Sequence, residues 1–260
     1  MRRLPLLAFV LAPVPAFAGS LAQPVVEPVV APAAAPAPAP GRALAFTLRG
    51  GVGVSPEYFG SDDYEVGPDF GFALDRLRFG PFDIGNDDPD FVSTGFGLRG
   101  AFRYIGERDA DDVENVAGLE DVDAALEVGV GVSYDQRAYG VFADLRHGFG
   151  GHEALVAELG MDLYARPSDR WLLSAGPRVL IGSDDYADTY FSTPGFEAEG
   201  GVISAGVEVG ATYEVTEVWG IDAAATWERF VGDAEDSPIT VEDDQYAARI
   251  GLTRKFDFRF

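Results

Sequence analysis

Residues 202–214 read VISAGVEVGATYE, and apolar side chains alternate along them with small or charged ones. The odd positions from Ile203 to Tyr213 are apolar, while the even positions carry serine, glycine, threonine and the glutamates Glu208 and Glu214. Successive side chains of a strand point to opposite faces, whereas a helix of about 3.6 residues per turn would scatter Glu208 and its neighbours around its axis. The stretch therefore predicts a strand with one apolar face and one polar face.

The same period of two recurs along most of the chain. Ten runs show it: about 43–54, 66–79, 91–105, 121–134, 138–149, 153–165, 171–182, 201–215, 218–231 and 245–260. Each run reaches the roughly 9–11 residues that a tilted strand needs to cross a bilayer. In the second run the apolar parity changes between Leu74 and Leu77, which predicts a β-bulge near Asp75-Arg76.

The segments between the runs differ in length. The long ones are 55–65, 106–120, 183–200 and 232–244, the brief ones are 135–137, 150–152, 166–170 and 216–217, and 80–90 is intermediate. With a periplasmic N-terminus all four long segments fall outside the cell, as in transmembrane barrels. The pattern predicts an all-β, antiparallel, up-and-down transmembrane barrel of about ten strands. The length of 80–90 leaves open a twelve-strand barrel with an extra short hairpin.

A soluble β-sandwich would also alternate, but its apolar faces would form a dry core. Here the apolar runs end in aromatic residues: Tyr134, Trp171, Tyr213, Trp219, Trp227 and Phe258. Amphipathic rings at strand ends are typical of the interfacial belts of membrane proteins. The opposite face is rich in glycine and carries charges of both signs, as an enclosed lumen would. The pattern favours the barrel over the sandwich.

The N-terminus has the features of a secretory signal. Arg2 and Arg3 precede the apolar stretch 4–14, and Ala16-Phe17-Ala18 supplies the small residues of a cleavage site, so we expect cleavage after Ala18. The stretch is too short for a membrane-spanning helix, which needs about 20 apolar residues. The chain is therefore expected to be exported and to reside in the outer membrane.

Residues 19–42 are rich in proline and alanine and carry almost no charge. Such a segment cannot build a core and extends about 3.1 Å per residue in a polyproline-like conformation. We expect a periplasmic linker here, with the barrel domain spanning 43–260.

The composition excludes several classes of function. With 43 acidic and 19 basic residues the formal charge is −24, which argues against nucleic acid as a partner. The chain has no cysteine, so neither disulfides nor thiolate chemistry can contribute. A large acidic excess is compatible with a barrel whose charges lie in loops and in the lumen.

Charged residues on the polar faces of the runs are the candidate lumen residues. They are Arg49, Arg99, Arg103, Glu127, Asp144, Glu158, Asp162, Arg178, Glu208, Asp222, Glu228 and Arg249. In a barrel of about ten strands these side chains would largely fill the interior, because open aqueous channels appear at about 16 strands. The sequence therefore predicts a plugged barrel or at most a narrow pore.

Two sets of residues bear on catalysis and metal binding. His147 and His152 flank a glycine-rich turn, with Asp144 and Glu153 as the nearest acids, but no nucleophile motif accompanies them. We interpret them as polar residues of an extracellular turn, with a hydrolase or a weak metal site as alternatives. Catalytic residues, metal ligands and cofactors are therefore not predicted.

The predicted extracellular loops are acidic, and two of them, 60–64 and 182–186, share the sequence GSDDY. Further acidic clusters occupy 107–114, 233–236 and 242–244. Such carboxylates could bind Ca²⁺ or Mg²⁺ that bridge lipopolysaccharide phosphates, yet no loop has the alternating ligands of an EF-hand. Solvated acidic loops are the favoured interpretation.

Several segments resemble one known family throughout the chain. They are GVGVSPEYFGSDDY (51–64), VGP (66–68), GLEDVD (118–123) followed by EVG (127–129), DTYF (188–191), GDAEDSP (232–238) and a last strand that ends in Phe260. In this order they resemble the MipA/OmpV family of outer-membrane proteins, MipA standing for MltA-interacting protein. Where the family often continues Tyr-Phe-Gly-Val, this chain has Tyr190-Phe191-Ser192-Thr193.

The resemblance implies an outer-membrane barrel without established catalytic residues. Some members are described as scaffolds that tie a lytic transglycosylase to a murein synthase, so those enzymes are expected partners, alongside outer-membrane lipid and lipopolysaccharide. A C-terminal strand ending in Phe260 implies recognition by the barrel assembly machinery. A non-enzymatic scaffold or surface-interaction protein is the leading prediction, and a narrow channel for small solutes is the alternative.

Overall fold

The computed structural model describes residues 42–260 apart from 80–81, 86–93 and 114–117. The predicted signal peptide at 1–18 and nearly all of the predicted linker at 19–42 lie outside the described residues.

Eleven antiparallel strands form one sheet in this part of the chain. They are β1 (Ala43–Pro56), β2 (Tyr64–Phe79), β3 (Phe82–Gly85), β4 (Gly95–Ile105), β5 (Ala125–Asp135), β6 (Tyr139–Gly150), β7 (Leu155–Ser168), β8 (Trp171–Gly182), β9 (Gly201–Glu214), β10 (Trp219–Phe230) and β11 (Asp244–Arg259). The order across the sheet is β3-β2-β1-β11-β10-β9-β8-β7-β6-β5-β4. Strands that follow one another in sequence lie side by side in the sheet, as in an up-and-down barrel.

The first and last strands meet, and the sheet thereby curls into a nearly closed barrel. β1 pairs with β11 from Ala43↔Arg259 to Val54↔Ala248. Phe72 of β2 packs edge-on against Phe102 of β4, with ring centroids 5.7 Å apart. No backbone ladder joins β2 to β4 within the described residues, and we call the line where they face each other the β2–β4 seam. The predicted all-β barrel of about ten strands is confirmed.

The extra hairpin considered for 80–90 is present in reduced form. β3 has four residues and pairs only with the end of β2, from Arg76↔Gly85 to Phe79↔Phe82. The described chain thus has ten long strands and one short one rather than twelve.

The outer face of the wall carries large apolar side chains exposed to the surroundings. Phe96 is 83% exposed, Val66 76% and Phe70 71%. So much contiguous apolar surface is unfavourable in water and suits the lipid-facing band of an outer-membrane barrel. Aromatic pairs lie at the strand ends, with Trp171 beside Tyr213 at a centroid distance of 4.9 Å.

Two bulges adjust which side chains face inward. Asp75 is the extra residue of the first, because Ala45 pairs with Arg76 and Phe46 with Leu74, which confirms the predicted bulge. The second was not predicted: Leu180 pairs with Ser204 and Ile181 with Val202, so Ile203 is the extra residue. Our assignment of Ile203 to the outer apolar face was wrong, since Ile203 is only 2% exposed and packs inside.

The predicted loop 183–200 contains a helix, α1 (Asp184–Phe191). Its residues Tyr186, Ala187, Tyr190 and Phe191 form one buried face, as a spacing of four residues allows. A second, four-residue helix α2 (Asp233–Asp236) and a short 3-10 helix at Ala110–Asp112 lie in other loops. None of the described helices has the length and apolar character that crossing a membrane requires.

At the end of the barrel that carries α1, the loops and this helix share a hydrophobic cluster. We call it the mouth cluster. Its members are Val122, Ala154, Val156, Leu180, Tyr186, Ala187, Tyr190, Phe191, Ala198, Ile203, Phe230 and Ala234, with Phe59, Ile105 and Phe196 packed against them. Val122 was predicted to lie in a strand starting at 121, but β5 begins at Ala125. Val122 instead bridges Arg108 and joins the cluster, because burying its side chain under α1 outweighs extending the strand.

Candidate functional site

The barrel interior is lined by the charged residues that the sequence analysis selected. All twelve share the parity of the inward-facing positions on their strands: Arg49, Arg99, Arg103, Glu127, Asp144, Glu158, Asp162, Arg178, Glu208, Asp222, Glu228 and Arg249. Strand alternation alone brings them together, since successive side chains point alternately to lipid and to lumen.

One chain of ion pairs crosses seven strands. It runs Asp69–Arg49–Asp222–Arg249–Glu208–Arg178–Asp162. Its shortest contacts are Arg49–Asp69 at 2.7 Å, Arg249–Glu208 at 2.7 Å and Arg178–Asp162 at 2.8 Å. Because the charges alternate in sign, each member has a neighbour of opposite charge, and most members of the network line a cavity inside the barrel.

A second network of ion pairs lies directly beneath the mouth cluster. Arg146 contacts Glu127 at 2.8 Å and Glu158 at 2.7 Å, and its side chain is only 3% exposed. Arg99 contacts Asp144 at 3.1 Å. Phe142 links the two networks, because the guanidinium carbons of Arg99 and Arg178 lie 4.0 and 5.1 Å from the centre of its ring.

Sequence reasoning missed Arg146, Asp69 and His152 as interior residues. Arg146 has the same parity as Asp144 in its strand, so the alternation contained the signal. Asp69 likewise shares the parity of Gly67 and Gly71. His152 lies in a turn outside any strand, where alternation gives no signal.

The two histidines lie on opposite sides of the wall. His147 shares the outward parity of Leu145 and Phe149, and its ring centroid is 5.0 Å from that of Phe149. His152 points inward, with its side chain fully buried. They therefore cannot share a metal ion or form a dyad. Our placement of both as polar turn residues was wrong for His147, which lies in β6, whereas His152 lies in the turn but is buried.

The surroundings of His152 hold its ring in place. Nδ1 accepts a hydrogen bond from the backbone N–H of Ala154 at 3.2 Å. Nε2 faces Oε1 of Glu127 at 3.5 Å. The rings of Tyr186 and Tyr190 pack edge-on against the imidazole at 5.4 and 5.5 Å. In this arrangement His152 packs α1 against the barrel wall.

Hydrogen bonds complete the mouth cluster. Ser237 donates from Oγ to the carbonyl of Phe191 at 2.5 Å, and Thr240 donates to the carbonyl of Ala234 at 2.6 Å. Burial raises the pKa of the Tyr186 and Tyr190 hydroxyls above the ordinary value. Both tyrosines therefore stay neutral and add no charge to this apolar layer.

Several loop carboxylates serve as structural acceptors. Asp184 accepts from the backbone of Gly200 at 2.9 Å, Asp233 from that of Glu199 at 2.8 Å, and Asp121 from that of Ala110 at 2.9 Å. Within the described residues no group of three or more acidic or histidine side chains has a metal-binding arrangement. Several carboxylates of the acidic loops thus accept hydrogen bonds from loop backbone N–H groups.

Two cavities remain inside. One, of about 650 Å³, extends from Thr216 and Val218 at a short turn up to Ser204 and Glu228. The other, of about 560 Å³, lies beneath the loop that contains Tyr58 and Phe59. Tyr190 of α1 lines the second cavity, so the mouth cluster reaches its wall.

Basic residues gather at the end with short turns, which is the periplasmic end in outer-membrane barrels. We call this set the basic rim: Arg137, Arg166, Arg170, Arg254, Lys255 and Arg259. The opposite loops are acidic, with Arg229 held among Glu235, Asp243 and Asp244. The end with short turns thus carries these basic residues together with acids such as Asp169 and Glu217, whereas the opposite loops are predominantly acidic.

Comparison with solved structures shows similar chains among outer-membrane proteins. OprG from Pseudomonas aeruginosa is 13% identical with a TM-score of 0.30, and the match covers 83% of this chain and 97% of that one. Ail of Yersinia pestis is 13% identical with a TM-score of 0.25, covering 83% and 99%. OmpT of Vibrio cholerae is 11% identical with a TM-score of 0.32, covering 86% and 100%.

Among proteins with curated descriptions, none matches the sequence. A family model does: the one described as "MltA-interacting protein MipA" matches residues 48–256, which is nearly the whole barrel. Together with the lipid-facing wall and the paired first and last strands, this match establishes that the chain belongs to the MipA family and is an outer-membrane β-barrel protein.

Proposed function

We propose that this protein is a non-enzymatic scaffold that holds a murein-processing enzyme at the inner surface of the outer membrane. One observation carries the proposal: the family model that matches residues 48–256 is named for interaction with MltA. In the family this partner is a lytic transglycosylase, which acts on murein. The barrel would supply the membrane anchor, and its periplasmic parts would supply the contact.

The filled interior supports a scaffold over a solute channel. A chain of ion pairs lines the lumen along seven neighbouring strands, and the mouth cluster lies above it. The burial of His152 likewise supports a non-enzymatic role, because a general base must be within reach of its substrate.

Two parts of the chain are proposed to contact the partner. The linker at 19–42 can span roughly 70 Å if fully extended at about 3.1 Å per residue, which is enough to reach beyond the turns. The basic rim offers cationic side chains for an acidic partner surface. Lipopolysaccharide outside and the assembly machinery at Phe260 are proposed as further partners.

Site-specific photo-crosslinking in intact cells tests the scaffold role. A photoreactive amino acid at Arg137 or Arg170, both exposed in the rim, is expected to capture a murein hydrolase or synthase. The same residue at Asp185 or Glu235, which lie in the opposite loops, is the matched control and should not. Captured proteins are identified by mass spectrometry.

Deletion of 19–42 with the signal retained separates the two contacts. We expect the deletion to reduce capture severalfold while the barrel still migrates faster on gels without boiling than after boiling. Capture of murein enzymes from neither the rim nor the linker would contradict the proposal.

A narrow channel is the second candidate, and the cavity of about 650 Å³ favours it. That cavity reaches from a short turn up to Ser204 and Glu228, so it spans much of the height of the barrel. Single-channel recording distinguishes this function from the scaffold.

A further inference from the structure

The lipid-facing side of the barrel wall carries very few charges. Apart from His147, the outward positions of the ten long strands hold only three charged side chains among the described residues: Arg229, Asp244 and Arg254. Arg229 and Asp244 pair with each other at 3.3 Å beside the acidic loops. Arg254 is exposed at the other end of the wall, where no carboxylate oxygen of the described residues lies within 4 Å of its guanidinium.

Two aromatic rings hold the guanidinium of Arg254. Its central carbon lies 5.1 Å from the ring centre of Trp219, the residue opposite it on β10, and 4.8 Å from that of Phe256 on its own strand. A guanidinium stacks on such rings through cation–π attraction, which orients its plane. Within the described part of the chain its N–H groups have no hydrogen-bond acceptor, so they remain available to a ligand.

Acidic residues close to Arg254 in the sheet have other partners. Glu214 accepts from Lys255 at 2.6 Å, and Asp257 contacts Arg259 at 2.9 Å, and both acids have the inward parity of their strands. Glu217 lies in the exposed turn before Trp219 and forms no ion pair with Arg254. The neighbours of Arg254 on the outer face are apolar: Leu48, Trp219, Leu252 and Phe256.

The position of Trp219 places Arg254 at the periplasmic boundary of the membrane. Trp219 begins β10 directly after a short turn, and Lys255 donates from its backbone to the carbonyl of Val218 in that turn. Trp227, near the other end of β10, belongs to the outer aromatic belt. Arginines at such a belt keep their stems against hydrocarbon and extend their charged ends to the lipid headgroups.

We propose that Arg254, held between Trp219 and Phe256, binds the phosphate group of an anionic phospholipid in the inner leaflet of the outer membrane. The planar guanidinium donates two N–H groups to two phosphate oxygens, while the acyl chains lie along the apolar wall. An anionic headgroup such as phosphatidylglycerol is preferred to a zwitterionic one, because the outer face around Arg254 offers no carboxylate to a headgroup ammonium. The site faces lipid and is independent of the proposed scaffold role.

Native mass spectrometry of the purified protein in detergent tests the site. The protein is mixed with equal amounts of phosphatidylglycerol and phosphatidylcholine of the same acyl chains, and the lipid-bound species are measured. The wild type is expected to retain more phosphatidylglycerol than phosphatidylcholine. Arg254→Gln should lower the retention of phosphatidylglycerol about fivefold, because a basic side chain near an anionic lipid surface contributes about 1 kcal/mol. Arg229→Gln, which removes the outward arginine of the other end, should leave it unchanged.

A pair of tryptophan substitutions tests the aromatic part of the site. Trp219→Leu should lower the retention of phosphatidylglycerol, whereas Trp171→Leu, which removes a ring beside Tyr213, should not. Trp219→Leu also decides if Arg254→Gln does not fold, as judged by its gel shift on heating.

An excess of glycerol phosphate should leave the lipid bound, because it lacks acyl chains. Displacement of the lipid by glycerol phosphate would assign the site to soluble phosphate esters and overturn the proposal. Equal retention of the two lipids by the wild type, or equal retention of phosphatidylglycerol by the wild type and Arg254→Gln, would overturn it as well.

Discussion

At the scale of single residues, Arg146 joins two interior carboxylates. It bonds Glu127 and Glu158 at once, and Glu127 is completely buried. Such ion pairs add little net stability over apolar residues of the same volume, because both charges lose their water. Removing one partner of a buried ion pair is strongly destabilising, since the other charge then stays buried without compensation.

Arg146→Gln is therefore expected to destabilise the barrel by about 3–5 kcal/mol. Arg229→Gln is the matched control: the Arg229 side chain is 47% exposed among its acidic partners, so its loss should cost less than about 1 kcal/mol. Urea unfolding in lipid vesicles, followed by tryptophan fluorescence, measures both changes. Equal effects of the two substitutions would show that the Glu127–Arg146 pair is not buried as described.

At the scale of elements, α1 distinguishes this barrel from an open one. Its apolar face packs into the mouth cluster, and Tyr186 and Phe191 are fully buried there. An isolated eight-residue helix is unstable in water, so the packing against the barrel must hold it.

Phe191→Ala should therefore unfold α1 locally without unfolding the barrel. Deleting a buried aromatic ring costs about 3–5 kcal/mol, more than such a segment can lose. Asp188→Ala, on the exposed side of the same helix, is the control. External protease added to intact cells should cleave within 183–200 in Phe191→Ala but not in the control or the wild type. Protection of 183–200 in Phe191→Ala would mean that other contacts hold the loop.

At the scale of the whole molecule, the barrel combines a lipid-facing wall with a filled centre. The acidic loops lie at one end and the basic rim at the other, so the molecule presents different surfaces to the two sides of the membrane. Its ion pairs join seven neighbouring strands along the inner face of the wall, where their side chains narrow the lumen.

Planar-bilayer recording tests this closed state. The wild type is expected to show no porin-like conductance steps, because the ion pairs and the mouth cluster lie in series. A variant in which 184–199 is replaced by a short Gly-Ser linker should show small steps, since both cavities then open to solvent. Steps of porin size in the wild type would favour the channel as the function.

Much of this fold follows from the alternation of apolar and polar residues along the sequence. The ten strands and the inward set from Arg49 to Arg249 depend only on the period of two. The bulge at Asp75 was also visible, because it shifts the parity of the apolar residues on either side.

The bulge at Ile203, the helix at 184–191, the inward position of His152 and the open β2–β4 seam were decided by the tertiary structure. Each depends on contacts between residues far apart in the chain, such as Ser237 with Phe191 or His152 with Glu127. The sequence by itself determined the long strands and the face that most of their side chains take, because strand geometry is local. Only the folded barrel decided which charges become partners, such as Arg146 with Glu127 and Glu158, because pairing depends on which strands the closure brings together.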